Sequence, residues 1–398
     1  MNKIKFSILP FILSFLVLYL SLHHEAWVIF WKTLNIPALT PPFSDLDSLL
    51  KTNLSYKEGF NVYLENPYDP THGPYMYPLI LLNFVEVFKL NNPMYFKIFN
   101  FIIIFSYFFI IQNLFIKNYG KLSNFSMAIF FFSTTNFIIL ERLNVDIVMF
   151  SFVYFAIISN KNLSKSFFFL IAVFGKVYPI FSIFFLIDKT KYFLLVLFSS
   201  IVYLFFFKED IYFMGTNMIE FARIFAYGSG SIAKAIYYYS REYNLFINDD
   251  NYIYLKLSII FLFIIIAILL MRKSFIFGDK SINKNMPINE RLFLAGGGIY
   301  LGTFIFAANV DYRLVFLLFT FSYILEVNNN LIKYIYFISC SIIFNSFIFE
   351  GGDPYSISYL FKAGFIYSLK FIIFGIICYF FGKIINNYVL LNFKLPKV

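Results

Sequence analysis

FFFLIAVFGKVYPIFSIFFLI, residues 167–187, is apolar over a length that could cross a bilayer, yet Lys176 and Pro179 interrupt its middle. Proline removes a helix hydrogen-bond donor, and a lysine at bilayer depth needs a partner. The stretch therefore reads as two half-helices. Tyr77–Phe88 is the companion case, apolar but shorter than the roughly 20 residues a span requires. The flanking charges decide between crossing and returning. If both stretches cross, Lys117, Lys121, Lys161 and Lys165 face outward, against the tendency of basic loops to stay in the cytoplasm. If both are re-entrant, those lysines face the cytoplasm together with Lys189 and Lys191. The second arrangement is the expected one.

The rest of the chain is as apolar as these two stretches. Of its 398 residues, 60% are hydrophobic and 14% charged, and 60 Phe and 31 Tyr bring the aromatic share to 23%. Mean hydropathy is +0.74. That little charge cannot cover a water-exposed surface, which excludes a soluble enzyme, a disordered chain and a disulfide scaffold. The expected class is an all-α polytopic membrane protein. The net charge of +10 comes from Lys and Arg in short loops, which suits anionic lipid and not nucleic acid. Cys340 and Cys378 sit in apolar runs and read as small core residues. No glycine-rich phosphate loop ending in Lys-Ser or Lys-Thr is present, which disfavours an ATP-driven pump. Nothing in the sequence calls for a cofactor. His23-His24-Glu25 supplies too few convergent ligands for a metal.

Lys3 and Lys5 precede an apolar run reaching Trp31, the pattern of a retained signal anchor with a cytoplasmic N-terminus. About 10 full spans of bilayer length are expected. They fall near 7–31, 98–116, 122–140, 146–159, 190–207, 252–272, 292–308, 312–326, 333–349 and 360–384. With no internal repeat or linker, residues 1–398 form one integral membrane domain, with 32–76 as a first outer loop and 208–251 as a second. Both termini are then cytoplasmic, in a plasma or inner membrane. Within the second loop, 219–243 has the alternation of an amphipathic interfacial helix. Gly296-Gly297-Gly298 and Gly302 mark close helix packing more than a phosphate site.

This topology gathers the conspicuous polar residues at the outer face. Asp45 and Asp47 follow Pro41-Pro42-Phe43 and could supply a general base with an orienting partner, or serve as solvated acids and caps of a helix over 48–57. Asp69 and His72 lie in the turn-rich loop 66–78, which feeds Tyr77 and Pro78. Glu141-Arg142-Leu143-Asn144-Val145-Asp146 is either a self-satisfied interfacial pair with a helix cap or part of a site. Lys176 and Arg313 each require a carboxylate or an anion, either as internal salt bridges (Lys176 with Asp146, Arg313 with Asp311) or as phosphate ligands.

These elements resemble a family. Phe43-Ser44-Asp45-Leu46, then Gly59, then Asn66-Pro67-x-Asp69-Pro70 and Tyr77-Pro78, looks like the first outer loop of the GT-C membrane glycosyltransferases. Family 87, the polyprenol-phosphate-mannose-dependent mannosyltransferases, is the most similar group. Glu141-Arg142-x-Asn144-x-Asp146 resembles its second polar element, with Leu143 where a glycine is common. Lys176-Val177-Tyr178-Pro179 is similar to its Lys-x-x-Pro element, and Asp311-Tyr312-Arg313 to an Asp-Tyr-Arg element of some relatives.

The resemblance implies a GT-C-like fold, an outward-facing site and a first-loop acid as base, matched by Asp45 with Asp47 second. It also implies a polyprenyl-phosphate sugar donor and a glycolipid, glycan or other hydroxyl acceptor. Lys176, Arg313, Asn144, Asp146, Arg142, His72, Tyr77 and Asp311 are then substrate-binding residues. Two rivals carry different requirements. An envelope polysaccharide polymerase or ligase would rely on outer-loop Arg and His. A lipid-linked sugar transporter or flippase would need charged residues at both faces, and the sequence shows almost none on the cytoplasmic side of the spans.

Overall fold

The computed structural model describes residues 8–34, 36–70, 73–117, 124–217, 223–242, 249–276, 285–351 and 356–393. His72, Lys121 and Asp353 lie outside them. The chain begins with α1 (Ile8–Leu22), α2 (His24–Thr33), α3 (Ser44–Lys57), α4 (Ile80–Val87) and α5 (Pro93–Lys117). α6 (Asn124–Phe131), α7 (Thr134–Arg142), α8 (Asp146–Ile158) and α9 (Asn162–Gly175) follow, then a 3-10 helix, Tyr178–Leu186. Next come α10 (Thr190–Phe206), α11 (Lys208–Asn217), α12 (Ser229–Glu242), α13 (Asp249–Ile276) and α14 (Ile288–Phe306). A 3-10 helix (Asp311–Thr320), α15 (Phe321–Ile324), α16 (Asn330–Ile343), a further 3-10 turn (Ser346–Phe349) and α17 (Ile357–Phe393) complete it. Among the described residues, one antiparallel ladder interrupts the helices: β1 (Ala226–Tyr227) sets Ala226 opposite Val310 and Tyr227 opposite Asn309 of β2 (Asn309–Val310).

The fold is all-α, and its outer surface is that of a membrane protein. Pro93–Phe115, Asn251–Ser274 and Ile357–Tyr388 are long and apolar enough to cross a bilayer, and two bent helix pairs raise the number to 5. Along α13, Ile253, Leu257, Phe261, Ile265 and Leu269 recur every fourth position and are all exposed. An apolar stripe of that length suits lipid, not water. Several expected spans are broken. The span expected near 7–31 gives α1 and α2, bent by 118° where the polar His23-His24-Glu25 interrupts the run. α10 and α11 bend by 75°. Within the span expected near 122–140, α6 and α7 are separate helices, and at the break Thr134 N and Thr135 N donate to Asn345 Oδ1 (3.2 Å) and Phe344 O (2.9 Å) in place of helix carbonyls. The stretch 312–326 is mainly 3-10 helix, and 333–349 ends as one.

The chain divides into two compact units. The first comprises Met1–Leu122, Asn136–Pro179 and Leu195–Met218. In it α1 packs along α5, with Phe11 and Phe101 edge to face at 5.5 Å, while α8 packs on α5 and α9. Trp27 stacks edge-on against Trp31 (5.2 Å) and Phe43 (5.1 Å), anchoring the start of the first loop. α9 stops at Gly175, and Lys176 is extended (φ −149°, ψ 137°). Pro179 has no N–H to donate to the carbonyl of Gly175, and its ring would clash with that carbonyl in a continuous helix, so the break falls where the sequence placed it.

The second unit comprises Ser123–Thr135, Ile180–Leu194 and Ile219–Val398. α14 packs on α17 and on the 3-10 helix 311–320, and α17 also covers α13 and α16. The glycines of α14 allow close approach, as expected. A Cβ on Gly298 would lie 2.2 Å from the carbonyl oxygen of Phe181, and one on Gly302 would lie 2.0 Å from its ring. Cys340 and Cys378 are buried and unbridged. The amphipathic segment of the second loop is α12, covering 229–242 of the expected 219–243.

Candidate functional site

The first unit brings six of the sequence-nominated residues together: Asp45, Tyr77, Arg142, Asn144, Asp146 and Lys176. Phe43 turns the chain with a left-handed backbone (φ 61°), and its carbonyl accepts from Leu46 N and Asp47 N, both at 3.0 Å. α3 therefore starts at Ser44, earlier than the expected 48. Asp45 and Asp47 lie in its first turn, where the helix dipole favours acids, and neither is its cap.

The second polar element closes against Asp45. Leu143 adopts φ 45°, the left-handed conformation a glycine would take without strain. Its N–H donates to Leu140 O (3.2 Å) and that of Asn144 to Ile139 O (3.3 Å), a helix-terminating turn. The turn forms with leucine because its side chain is buried, only 1% exposed. Asn144 then becomes the hub. Its Nδ2 donates to Asp45 Oδ2, while its Oδ1 accepts from Asp146 N (2.9 Å) and Lys176 Nζ (3.1 Å). Lys176 also donates to Asp146 Oδ1, which accepts Tyr178 OH at 2.9 Å. The ring of Tyr77 covers the ammonium, 4.7 Å from its centroid. Arg142 approaches Asp45 at 3.9 Å and Glu141 at 2.9 Å.

Desolvation raises the Asp45 carboxyl above its ordinary value, opposed by Arg142, the Asn144 bond and Lys176. Burial also raises Asp47, but Lys51 and Asp69 surround it, and it stands outside this cluster. Of the two acids Asp45 is the one that meets the other polar element. Asp69 is buried and accepts a bond from Ser48.

Behind the polar groups lies an apolar cavity of about 160 Å³, lined among others by Leu46, Leu81, Val145, Met149 and Gly175. Leu46, Val145 and Gly175 are the chain neighbours of Asp45, Asp146 and Lys176. Charge and apolar volume thus alternate on the same three segments.

Asp311 and Arg313 belong to the second unit, and the structure corrects both expectations for Asp311. It pairs neither with Arg313 nor with a solvent-facing site. Its carboxylate is fully buried against Lys370 (2.9 Å) and accepts from Ser346. Lys370 also donates to Ile224 O (2.7 Å) and Ala226 O (2.9 Å). Arg313 donates to Asn309. Lys370 carries a sequence signal of its own, a lysine mid-way along an apolar helix, which the motif pattern of the other polar residues does not include. Tyr178 was hidden inside the Lys-x-x-Pro element. Asp188 and Arg291 form a buried ion pair at 2.7 Å near the start of α14, so charge does occur at the helix end opposite Asn309.

Among the described residues, no three His, Cys, Asp or Glu converge as metal ligands. Compared with known proteins, the chain matches no family model, no curated protein and no solved structure.

Proposed function

We propose that this protein is a GT-C-like hexosyltransferase that moves a mannose-like sugar from a polyprenyl phosphate to an acceptor hydroxyl at the outer face of an envelope membrane. The observation that carries the reading is the junction of the Asp45–Asn144–Asp146–Lys176 cluster with the apolar cavity. An amphiphile with an anionic head and a hydrocarbon tail fits both at once. The topology that goes with it has about 10 spans, some built from the shorter apolar helices, and two re-entrant hairpins at 77–88 and 167–187.

In the reaction Asp45 accepts the acceptor's hydroxyl proton as the oxygen forms its bond to the anomeric carbon. The anomeric carbon–oxygen bond to the phosphate breaks, and polyprenyl phosphate leaves with the electron pair. Lys176, shared with Asp146 and Asn144 in this structure, turns part of its charge to the phosphate oxygen. A single displacement inverts the anomeric centre. Arg313 and Asp311 enter no step.

The test is turnover by purified protein in nanodiscs with a panel of polyprenyl-phosphate sugars. Release of polyprenyl phosphate by wild type and not by Asp45→Asn supports the reading; equal turnover by both overturns Asp45 as base. The buried Asp188–Arg291 pair favours one alternative, a lipid-linked sugar flippase. That reading requires movement of the intact donor between leaflets with no free polyprenyl phosphate.

A further inference from the structure

Glu141 has no role in the mechanism above, yet it is wholly buried and touches both the segment leading into Asp45 and Arg142 beside it. Its Oε1 accepts the N–H of Leu39 at 2.7 Å, and its own carbonyl accepts Phe43 N at 3.3 Å. Its Oε2 lies 2.9 Å from Arg142 Nε, and Arg142 Nη1 lies 3.9 Å from Asp45 Oδ1. The charged groups facing Glu141 are Arg142 on its own helix and Asp45 from α3. One residue thus grips both ends of the segment 39–43, Leu39 through its carboxylate and Phe43 through its main-chain carbonyl, and the same carboxylate meets Arg142.

Resting on the glycosyl-transfer reading, we infer that Glu141 is a positioning residue for the first-loop acid, setting the geometry of Asp45 through segment 39–43 and its basicity through Arg142. The physical reason is competition. Arg142 divides its charge between two carboxylates, so Asp45 stays a stronger base than it would be beside an undivided guanidinium. Glu141 itself, just past the 122–140 stretch, is pushed up to about 7, chiefly by burial. Near neutrality its charge on Arg142 is therefore partial.

The experiment compares wild type, Glu141→Gln, Glu141→Asp and Glu141→Ala in nanodiscs. Glu141→Gln keeps the Leu39 acceptor but removes the charge. Its acid limb of kcat against pH is expected to move to lower pH, with kcat down about tenfold, a smaller loss than the roughly 10²–10⁴-fold that removing a general base brings. Glu141→Asp, which keeps the charge, retains the limb position. A limb that stays put in Glu141→Gln overturns the electrostatic half of the inference, since a merely structural residue changes the amount of active enzyme and not its pH profile.

Hydrogen exchange of residues 37–47 is read independently of turnover. Faster exchange there in Glu141→Ala, with α13 unchanged, supports the grip on segment 39–43, and unchanged exchange overturns it. If wild type turns over no lipid-phosphate sugar, the functional reading fails, and the exchange result still decides whether Glu141 holds the loop.

Discussion

Asn144 reaches across 99 positions of chain to donate from Nδ2 to Asp45, and its other amide atom accepts from Lys176 at 3.1 Å. One side chain therefore sets both the carboxylate and the cation. Asn144→Ala removes both bonds and leaves Asp146 N without its partner. We expect kcat to fall by about 10²-fold and stability by about 1–3 kcal/mol, because the stranded groups are buried. Asn144→Ser, which retains an acceptor for Asp146 N, is expected to recover stability more than rate. Steady-state kinetics and thermal unfolding in nanodiscs measure the two effects separately.

Asp45 must be ionised to act as a base, so activity rises with pH along an acid limb. Burial places that limb above the ordinary carboxylate value, and Arg142 holds it down. Arg142→Gln is therefore expected to move the limb to higher pH. The stability sign runs the other way. A carboxyl raised on folding contributes stability below its unfolded value and loses it as pH rises through the folded one. Asp45→Asn should accordingly flatten the fall in stability over that interval. A limb that shifts downward in Arg142→Gln would contradict the assignment.

Leu143 presents two opposed effects. Glycine relieves a left-handed backbone cost of roughly 1–2 kcal/mol. It also deletes a buried leucine side chain, worth about 2–5 kcal/mol at Leu-to-Ala sites. Packing is expected to win, so Leu143→Gly loses stability despite matching the usual residue of such turns. A thermal midpoint above wild type would show that strain dominates.

Lys370 has its ammonium bonded to two backbone carbonyls and to Asp311. Lys370→Ala strands a buried carboxylate, and a loss of about 3–5 kcal/mol is expected. Lys370→Met combined with Asp311→Asn removes both charges and should recover much of it. The yield of monodisperse protein and its thermal midpoint report the difference.

The cavity beside the polar cluster is expected to take hydrocarbon. Val148→Trp fills it without touching Asp45 or Lys176, so KM for a long-chain donor should rise more than tenfold while kcat changes little. An equal loss of kcat with unchanged KM would remove the tail from that cavity.

Composition and periodicity determined what depends on local chemistry. The apolar content left only a helical membrane fold, because a bilayer offers no partners to an open backbone. Pro179 placed the break at Lys176, and Asp45 and Asn144 stood out as polar residues flanked by apolar runs. Only the tertiary structure decided partnerships. Arg313 looked like the partner of Asp311, two residues away, but Lys370 reached it from another helix. Leu143 stands where a glycine is common, yet the left-handed turn forms with its side chain buried, a packing contribution that backbone preference alone does not show. The reason is the same in each case. A residue's propensity is fixed by its neighbours in the chain, whereas the partner that satisfies a buried charge is chosen by packing between segments far apart in sequence.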